Sequence, residues 1–244
     1  MRNIKLTIEY DGTAYHGWQS QINATAVQDV VASAVSSLTG ENCSVTGSSR
    51  TDTGVHALGQ VCNFHTNSPI PADKFAYALN TLLPEDIVIR KSEDVPDGFH
   101  ARFSARGKKY RYLFYNSVFP SALLRNRAFH VYYPLDIAAM HKAAGCFTGT
   151  HDFAAFSAAG GSVKTTVRTI TEAAVVRDDE LVGFTVAGDG FLYNMVRIIA
   201  GTLVEVGFGR IKADDIPEII DSCDRKRAGR TAPAHGLYLV EVYY

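Results

Sequence analysis

The sequence is poor in the features that mark several common classes of protein. Only four cysteines occur in 244 residues, and they lie far apart without a CxxC pair. This scarcity disfavours a zinc site or a disulfide framework and fits a protein of the reducing cytoplasm. No apolar run approaches the roughly 18 residues that a membrane-spanning helix needs. With 46% apolar and 20% charged residues, the composition is that of an ordinary globular protein.

Charge is distributed unevenly along the chain. Residues 1–97 hold 6 Lys and Arg against 11 Asp and Glu, whereas residues 98–244 hold 18 against 14. No acid occurs between Gly98 and Leu135, where aromatic residues are mixed with Arg102, Arg106, Lys108, Lys109, Arg111, Arg125 and Arg127. Such a block is typical of a phosphate-binding surface for nucleic acid. The alternative is a solvated strand edge whose basic residues prevent aggregation.

Apolar periodicity predicts two successive units of the order β-α-β-β-α-β. The first unit is predicted to contain strands at Ile4–Tyr10, Cys43–Ser49, Gln60–His65 and Ile87–Lys91, and helices over Val27–Leu38, after a capping box at Thr25–Gln28, and Pro71–Leu83. The second is predicted to contain strands at Lys109–Asn116 and Leu237–Tyr243, a hairpin of Thr169–Arg177 and Leu181–Ala187, and helices over Asp136–Cys146, Phe191–Val206 and Asp214–Asp221.

This order is that of the split βαβ, or ferredoxin-like, unit. We therefore expect an α+β protein with two ferredoxin-like halves, residues 1–100 and 101–244, joined near Asp94–Arg106. Antiparallel sheets lying side by side would leave a central cleft, which is a usual place for a site.

The segment GSSRTDTGVHALGQV, Gly47–Val61, holds one isolated charge of each sign. Arg50 and Asp52 lie two apart, so in an extended backbone they face the same side and Thr51 faces away. No second carboxylate lies nearby in the sequence to share a proton, which favours an ionised Asp52 acting as a nucleophile. The alternative is an Asx-turn or a helix cap, the common roles of an isolated Asp in a turn.

A partly desolvated Asp52 needs a cationic partner. Arg50 is one candidate. Arg197 is the other, since it lies inside FLYNMVRIIAGTLVEV, which is apolar on nearly every face. A charged residue in such a helix either extends its head group to water or is paired with an opposite charge. A pair with Arg197 would lower the pKa of the carboxyl group and fix its rotamer.

Four segments resemble those of the TruA-type tRNA pseudouridine synthases, in the same order and over nearly the whole chain. They are RTDTGVHALGQV, KKYRYLFYN, GDGFLYNMVRIIAGTL and APAHGLYLVEV. The usual motif of that family is GRTDAGVHA, and here Ser49 replaces its Gly and Thr53 its Ala. The resemblance implies two ferredoxin-like halves with the site between them, a homodimer without cofactor or metal, and the tRNA anticodon stem-loop as substrate, at uridines 38 to 40.

The resemblance also implies a role for five residues. Asp52 matches the nucleophile, and Arg197 matches the arginine that pairs with it. Tyr110 matches the tyrosine that stacks on the target base, Arg50 the arginine that enters the RNA stem as the base leaves, and Leu237 the aliphatic residue beneath the target ring.

The chemistry agrees with these roles, because a uridine must leave the base stack before an enzyme reaches its N1–C1′ bond. An aromatic platform such as Tyr110 offsets about 1–3 kcal/mol of the unstacking cost. The sequence leaves open whether Asp52 attacks C1′, attacks C6 or removes the C2′ proton. Two other hypotheses are a non-catalytic RNA-binding module and a hydrolase that uses Asp52 with His56.

Overall fold

The computed structural model of the protein describes residues 1–161 and 163–244. These residues pack as two compact units, one of Met1–Arg106 with Tyr238–Tyr244 and one of Gly107–Leu237. Each contains helices packed on antiparallel strands, so the predicted α+β class is confirmed. Among the described helices, none has both the length and the apolar character needed to cross a bilayer.

In the first unit the strand order is β4-β1-β3-β2, with all three pairings antiparallel. The last strand of the chain, β10, runs parallel to the start of β3, where Tyr238 pairs with His56. The elements are β1 (Arg2–Tyr10), α1 (Val27–Thr39), β2 (Thr46–Gly47), β3 (His56–Thr66), α2 (Phe75–Asn80), β4 (Ile87–Val95) and β10 (Leu237–Tyr243).

Helix α1 buries one apolar face, formed by Val27, Val31, Ala34 and Val35. The predicted capping box is wrong, because the N-cap is Ala26 and no side chain caps the helix. Its first N–H groups find tertiary partners instead: Val27 N donates to Gly17 O at 3.2 Å and Gln28 N to Trp18 O at 3.0 Å. The start of α1 is thereby tied to the segment that precedes it.

Two other predicted elements of this unit are shorter than expected. The helix predicted over Pro71–Leu83 is a 3₁₀ turn at Ala72–Lys74 followed by α2. At its last residue, the Asn80 side chain bonds both the N–H and the carbonyl of Ile89. The strand predicted at Cys43–Ser49 pairs only at Thr46–Gly47, since Cys43 N and Val45 O bond side chains of α1.

In the second unit the strand order is β5-β9-β8-β7, again antiparallel, with β6 parallel to β5. The predicted hairpin is confirmed and turns through Asp179, whose φ is 55°. Strands β6 and β7 are short and were not predicted. The elements are β5 (Gly107–Asn116), β6 (Phe129–Val131), α3 (Ile137–Gly145), β7 (Gly149–Asp152), β8 (Val167–Asp178), β9 (Leu181–Gly188), α4 (Met195–Gly207) and α5 (Ile216–Asp221).

Helix α4 is buried on nearly all sides, as its apolar sequence predicts. It begins at Met195 rather than at the predicted Phe191, because Asn194 adopts a left-handed conformation with φ 59° that interrupts a helix. The helix predicted over Asp214–Asp221 is a 3₁₀ turn at Ala213–Asp215 followed by α5.

Candidate active site

Asp52 lies in the loop between β2 and β3, where it is half-buried. Thr51, which the sequence analysis expected to face away from Arg50 and Asp52, is buried, and Arg50 is exposed. The Thr51 hydroxyl lies 2.8 Å from the hydroxyl of Tyr10. Thr51 thus anchors the loop in the interior, while Arg50 faces outward.

Backbone hydrogen bonds hold this loop on both sides of the carboxylate. Trp18 N donates to Thr51 O at 3.3 Å, and Gly54 N donates to Tyr15 O at 3.3 Å. Val55 N donates to Asp52 O at 3.1 Å, which closes a turn. Because Gly54 has a φ of +77°, it supplies the positive φ that a type II turn requires at this position. The main chain of Asp52 is therefore fixed before any ligand arrives.

A close approach of two backbones makes these bonds possible. At Gly17 a Cβ would lie 2.1 Å from Thr51 O, and the residue has a φ of +84°. Both the contact and the conformation exclude a side chain at this position. Gly17 is therefore required by the geometry of the loop, although the sequence analysis did not single it out. The signal that could have found it is a glycine beside the only tryptophan of the chain.

His56, one of the candidates for a hydrolytic partner of Asp52, is 2% exposed at the start of β3. Its Nδ1 accepts a hydrogen bond from Gly12 N at 3.0 Å and lies 3.1 Å from a carboxylate oxygen of Asp11. The Nδ1 atom therefore lies between a main-chain N–H and a carboxylate oxygen. The ring also stacks on Tyr238, with centroids 4.8 Å apart. These contacts give His56 a structural role at the base of the loop.

Arg197 lies in the first turn of α4 and is half-buried. Its Nε donates to Ala232 O at 2.8 Å, and its Nη1 donates to the Asn194 side-chain oxygen at 2.8 Å. Ala232 N returns a bond to Arg197 O at 3.0 Å. Two neutral acceptors therefore set the plane of the guanidinium without neutralising its charge. Asn194 and Ala232 were not predicted as parts of the site.

Tyr110 and Leu237 both lie in the second unit, and each is 7% exposed. The Tyr110 ring meets Phe191 edge to face, with centroids 5.1 Å apart and planes at 83°. Phe191 belongs to the same GDGFLYNMVR segment as Arg197, so Tyr110 is packed against the segment that holds the arginine. Leu237 begins β10, directly after a 3₁₀ turn at Ala234–Gly236.

Tyr112, two residues after Tyr110 on β5, supports the chain that leads to Leu237. Its hydroxyl donates to Pro233 O at 2.7 Å, and a Cβ at Gly236 would lie 2.6 Å from its ring. Burial raises the pKa of the Tyr112 phenol above its ordinary value, and the charges of Arg197 and Arg230 act in the opposite direction. The phenol therefore stays protonated and donates this bond.

Comparison with known proteins bears on the identity of the chain. A family model described as tRNA pseudouridine synthase matches residues 6–104 and 143–244. The chain belongs to that family. As a member of the tRNA pseudouridine synthase family it is an isomerase acting on tRNA, which confirms the resemblance and the enzyme class predicted from the sequence.

Full-length relatives of this synthase family agree. The proteins named tRNA pseudouridine synthase A of Acetivibrio thermocellus and Ruminiclostridium cellulolyticum are 65% identical over 244 residues and 61% identical over 245. The protein of that name from Thermoanaerobacter pseudethanolicus is 51% identical over 244 residues. Each comparison covers the whole of both chains.

Ser49 and Thr53 are the two residues that differ from the usual motif of this family. Both lie at positions where they leave the loop intact. Ser49 is buried, and its carbonyl accepts a bond from Gln60 Nε2 at 2.8 Å. This bond uses the main chain, so it does not depend on which residue occupies the position. Thr53 is exposed, in the turn that Gly54 completes. In the described part of the chain, no group of three or more His, Cys, Asp and Glu side chains could hold a metal ion.

Proposed function

We propose that the protein converts uridine to pseudouridine at positions 38 to 40 of the tRNA anticodon stem-loop, with Asp52 as nucleophile. The observation that gives this proposal the most support is the hydrogen-bonded loop around Asp52. Its main chain is held by Trp18, Tyr15 and Val55, while the carboxylate stays half-buried. Preorganisation of a reacting group at a fixed position is what catalysis at a sugar carbon requires.

The other predicted residues complete the proposal. Arg197 pairs with Asp52, and this pairing fixes the rotamer of the carboxylate. Tyr110 stacks on the flipped uracil, and Leu237 packs beneath the ring. Arg50, which is exposed beside the nucleophile, enters the stem when the base leaves it.

The reaction is balanced without an external oxidant or a hydrolytic water. The N1–C1′ bond breaks, the base turns, and C5 bonds to C1′. The proton on C5 goes to solvent, and N1 gains one. Because the atoms of substrate and product are the same, the proposal needs neither a metal nor a cofactor.

We further propose that each unit is ferredoxin-like. The order β4-β1-β3-β2 in the first unit and the sequence β5-α3-β8-β9-α4 in the second are consistent with a split βαβ fold. The domains at 1–100 and 101–244, the cleft between them, the homodimer and the cytoplasmic location stay predictions of this proposal.

The decisive experiment compares the wild-type protein with Asp52→Asn on tRNA labelled with tritium at C5 of uridine. Loss of the carboxylate should reduce tritium release by at least about a thousandfold, because the covalent step has no substitute. Binding of the tRNA should remain, since phosphate contacts supply most of the affinity. Full turnover by Asp52→Asn would end the assignment.

The same assay separates the other hypotheses. A non-catalytic RNA-binding module would release no tritium even as the wild-type protein. A hydrolase would release free uracil rather than a tritium-depleted nucleoside, and it would depend on His56. His56→Asn, which keeps a nitrogen or oxygen near Gly12 N, should leave tritium release within about tenfold of the wild-type rate if the role of His56 is structural.

A further inference from the structure

A pocket in the second unit includes none of the five residues assigned a role above. Its volume is about 310 Å³, and most of its wall is apolar. Tyr115, Phe129 and His130 contribute flat rings, and Arg125 and His235 contribute nitrogen atoms. Most of these residues lie between residues 105 and 142, outside the two ranges that match the family model.

Hydrogen bonds fix the planes of two of the rings. The Tyr115 hydroxyl donates to the Glu180 carboxylate at 2.7 Å, and His130 Nε2 lies 2.8 Å from Ser117 O. The two ring centroids are 6.1 Å apart, with planes at 37°. A planar ligand would therefore meet ring faces whose orientation is already set, which lowers the entropy cost of binding.

Basic residues lie at one edge of the pocket, whereas the Glu180 carboxylate lies at the Tyr115 hydroxyl. Arg125 is exposed on its wall, with Nη1 donating to Ala122 O at 2.7 Å. The guanidinium of Arg230 lies 5.8 Å from the centroid of Phe129. No acidic side chain is among the described residues that line the pocket. Flat apolar walls with a basic edge match a nucleobase and its phosphate better than an apolar side chain.

A short segment connects the pocket to the candidate active site. Pro233 and His235 line the pocket, Ala232 O accepts the bond from Arg197, and Leu237 follows. Only Gly236 separates His235 from Leu237, so their Cα atoms lie at most about 7 Å apart. A strand of RNA whose uridine lies over Leu237 thus has another nucleotide within reach of the pocket.

We propose that this pocket binds an unpaired base of the RNA strand that carries the target uridine. The base stacks on the ring of Tyr115 or His130, and a flanking phosphate bonds Arg125. The proposal rests on the proposed function, because it takes tRNA as the substrate and Leu237 as a contact of the target base.

The test blocks the pocket with a bulky side chain and removes single bases from the RNA, one at a time. Ser121→Trp places a large ring in the pocket, whereas Ala122→Trp adds the same ring at the adjacent exposed residue. The probes are anticodon stem-loop RNAs that each lack one base of the loop but keep its phosphate. For wild type and Ala122→Trp, one such deletion should weaken binding about 5- to 100-fold. For Ser121→Trp the same deletion should cause no further loss.

Three results would overturn the proposal. One is that no single base deletion weakens binding to the wild-type protein. Another is that Ser121→Trp responds to deletions as the wild-type protein does. The third is that Ser121→Trp changes the sedimentation coefficient of the protein while the effect of each base deletion on binding stays as in the wild type. The pocket would then be occupied by a second copy of the chain. Wild-type protein that binds the RNA but forms no pseudouridine would instead refute the proposed function.

A second variant keeps the proposal testable if Ser121→Trp does not fold. Arg125→Ala should reduce the slope of log affinity against log salt by about one phosphate contact. Arg210→Ala removes an equally exposed charge elsewhere in the unit and should leave the slope unchanged. Equal slopes for Arg125→Ala and the wild-type protein contradict the phosphate contact.

Discussion

The loop around Asp52 and the segment around Arg197 are both immobilised, but by different kinds of contact. Main-chain bonds from Trp18, Tyr15 and Val55 hold the loop, and the Asp52 side chain takes no part in them. At Arg197 the charged side chain itself makes the bonds, to Ala232 and Asn194. Main-chain bonds thus fix the backbone of Asp52, whereas the donors of the guanidinium itself hold Arg197.

This difference predicts how the loop around Asp52 and the segment around Arg197 respond to substitutions. A substitution of Asp52 removes the proposed nucleophile and leaves the main-chain bonds of the loop. A substitution of Arg197 removes the charge and also the link between α4 and residue 232. Conversely, a methyl group added at Gly17 would disturb the loop without touching either charge.

After the loss of Asp52 itself, the largest effect is expected for Arg197→Met. The variant removes the proposed partner of Asp52 and both bonds of the guanidinium, so pseudouridine formation should fall by at least about a hundredfold. Stability should also fall, which denaturation in urea would measure. Arg210→Met, just beyond the end of α4 in an exposed pair with Glu205, is the matched control and should keep the wild-type rate. Wild-type rate and stability for Arg197→Met would count against the pair.

Gly17→Ala tests the backbone side of the comparison. Its Cβ would lie 2.1 Å from Thr51 O, so the loop must shift, and we expect a loss of about 2–4 kcal/mol in the free energy of unfolding. The turnover of the folded fraction should fall as well, because the main chain of Asp52 moves.

Gly40→Ala is the control for Gly17→Ala. Gly40 ends α1 with a φ of +70°, but nothing lies within 4 Å of its Cβ position. Gly40→Ala should lower the free energy of unfolding by only about 1 kcal/mol, because of the backbone conformation, and should leave turnover unchanged. Equal losses for the two variants would show that the contact with Thr51 does not matter.

The same comparison explains what the sequence could predict. Asp52 and Arg197 were found because each is an isolated charge in uncharged surroundings, and α4 and β10 were found because their apolar patterns are long. Helix α4 and strand β10 accordingly lie at or near their predicted positions. Alternation also predicted that Arg50 and Asp52 face the same side and that Thr51 faces away; Thr51 is buried, whereas Arg50 is exposed and Asp52 is half-buried.

Two of the contacts near these charges could not be predicted, because each has as its acceptor a main-chain carbonyl far away in the sequence. Ala232 O accepts from Arg197, and Trp18 N donates to Thr51 O, yet neither acceptor has a side chain that marks the contact. The capping box at Thr25–Gln28 failed for the same reason, since tertiary carbonyls supplied the bonds that the box would have made. The pairing of Asp52 with Arg197 stays a prediction.

A smaller effect is expected at Tyr112. Its hydroxyl bonds the carbonyl of Pro233, the residue after Ala232. Tyr112→Phe removes the donor at 2.7 Å and should cost about 1–2 kcal/mol in unfolding free energy, because the acceptor is left in a half-buried place. Tyr115→Phe also removes a phenol donor, but at the surface, and should cost less. Urea denaturation of the two variants measures the difference, and equal losses would contradict a special role for Tyr112.

The smallest effect concerns three charged residues that lie outside the Asp52 loop and the Arg197 segment. Lys5 and Lys91 hold the pKa of Glu93 on β4 below its ordinary value by hydrogen bonds and charge. The folded protein therefore binds this proton less tightly than the unfolded chain. The resulting stability is present above the ordinary Glu pKa of about 4.3 and is lost as pH falls through the lowered value.

The contribution of Glu93 should stay below about 1 kcal/mol, because the pairs are partly exposed. Urea midpoints of the wild-type protein and Glu93→Gln should therefore differ at pH 7 and converge near pH 3. The exposed Glu85→Gln should show no such convergence. A difference for Glu93→Gln that grows toward acid would reverse the sign of the linkage and refute the assignment.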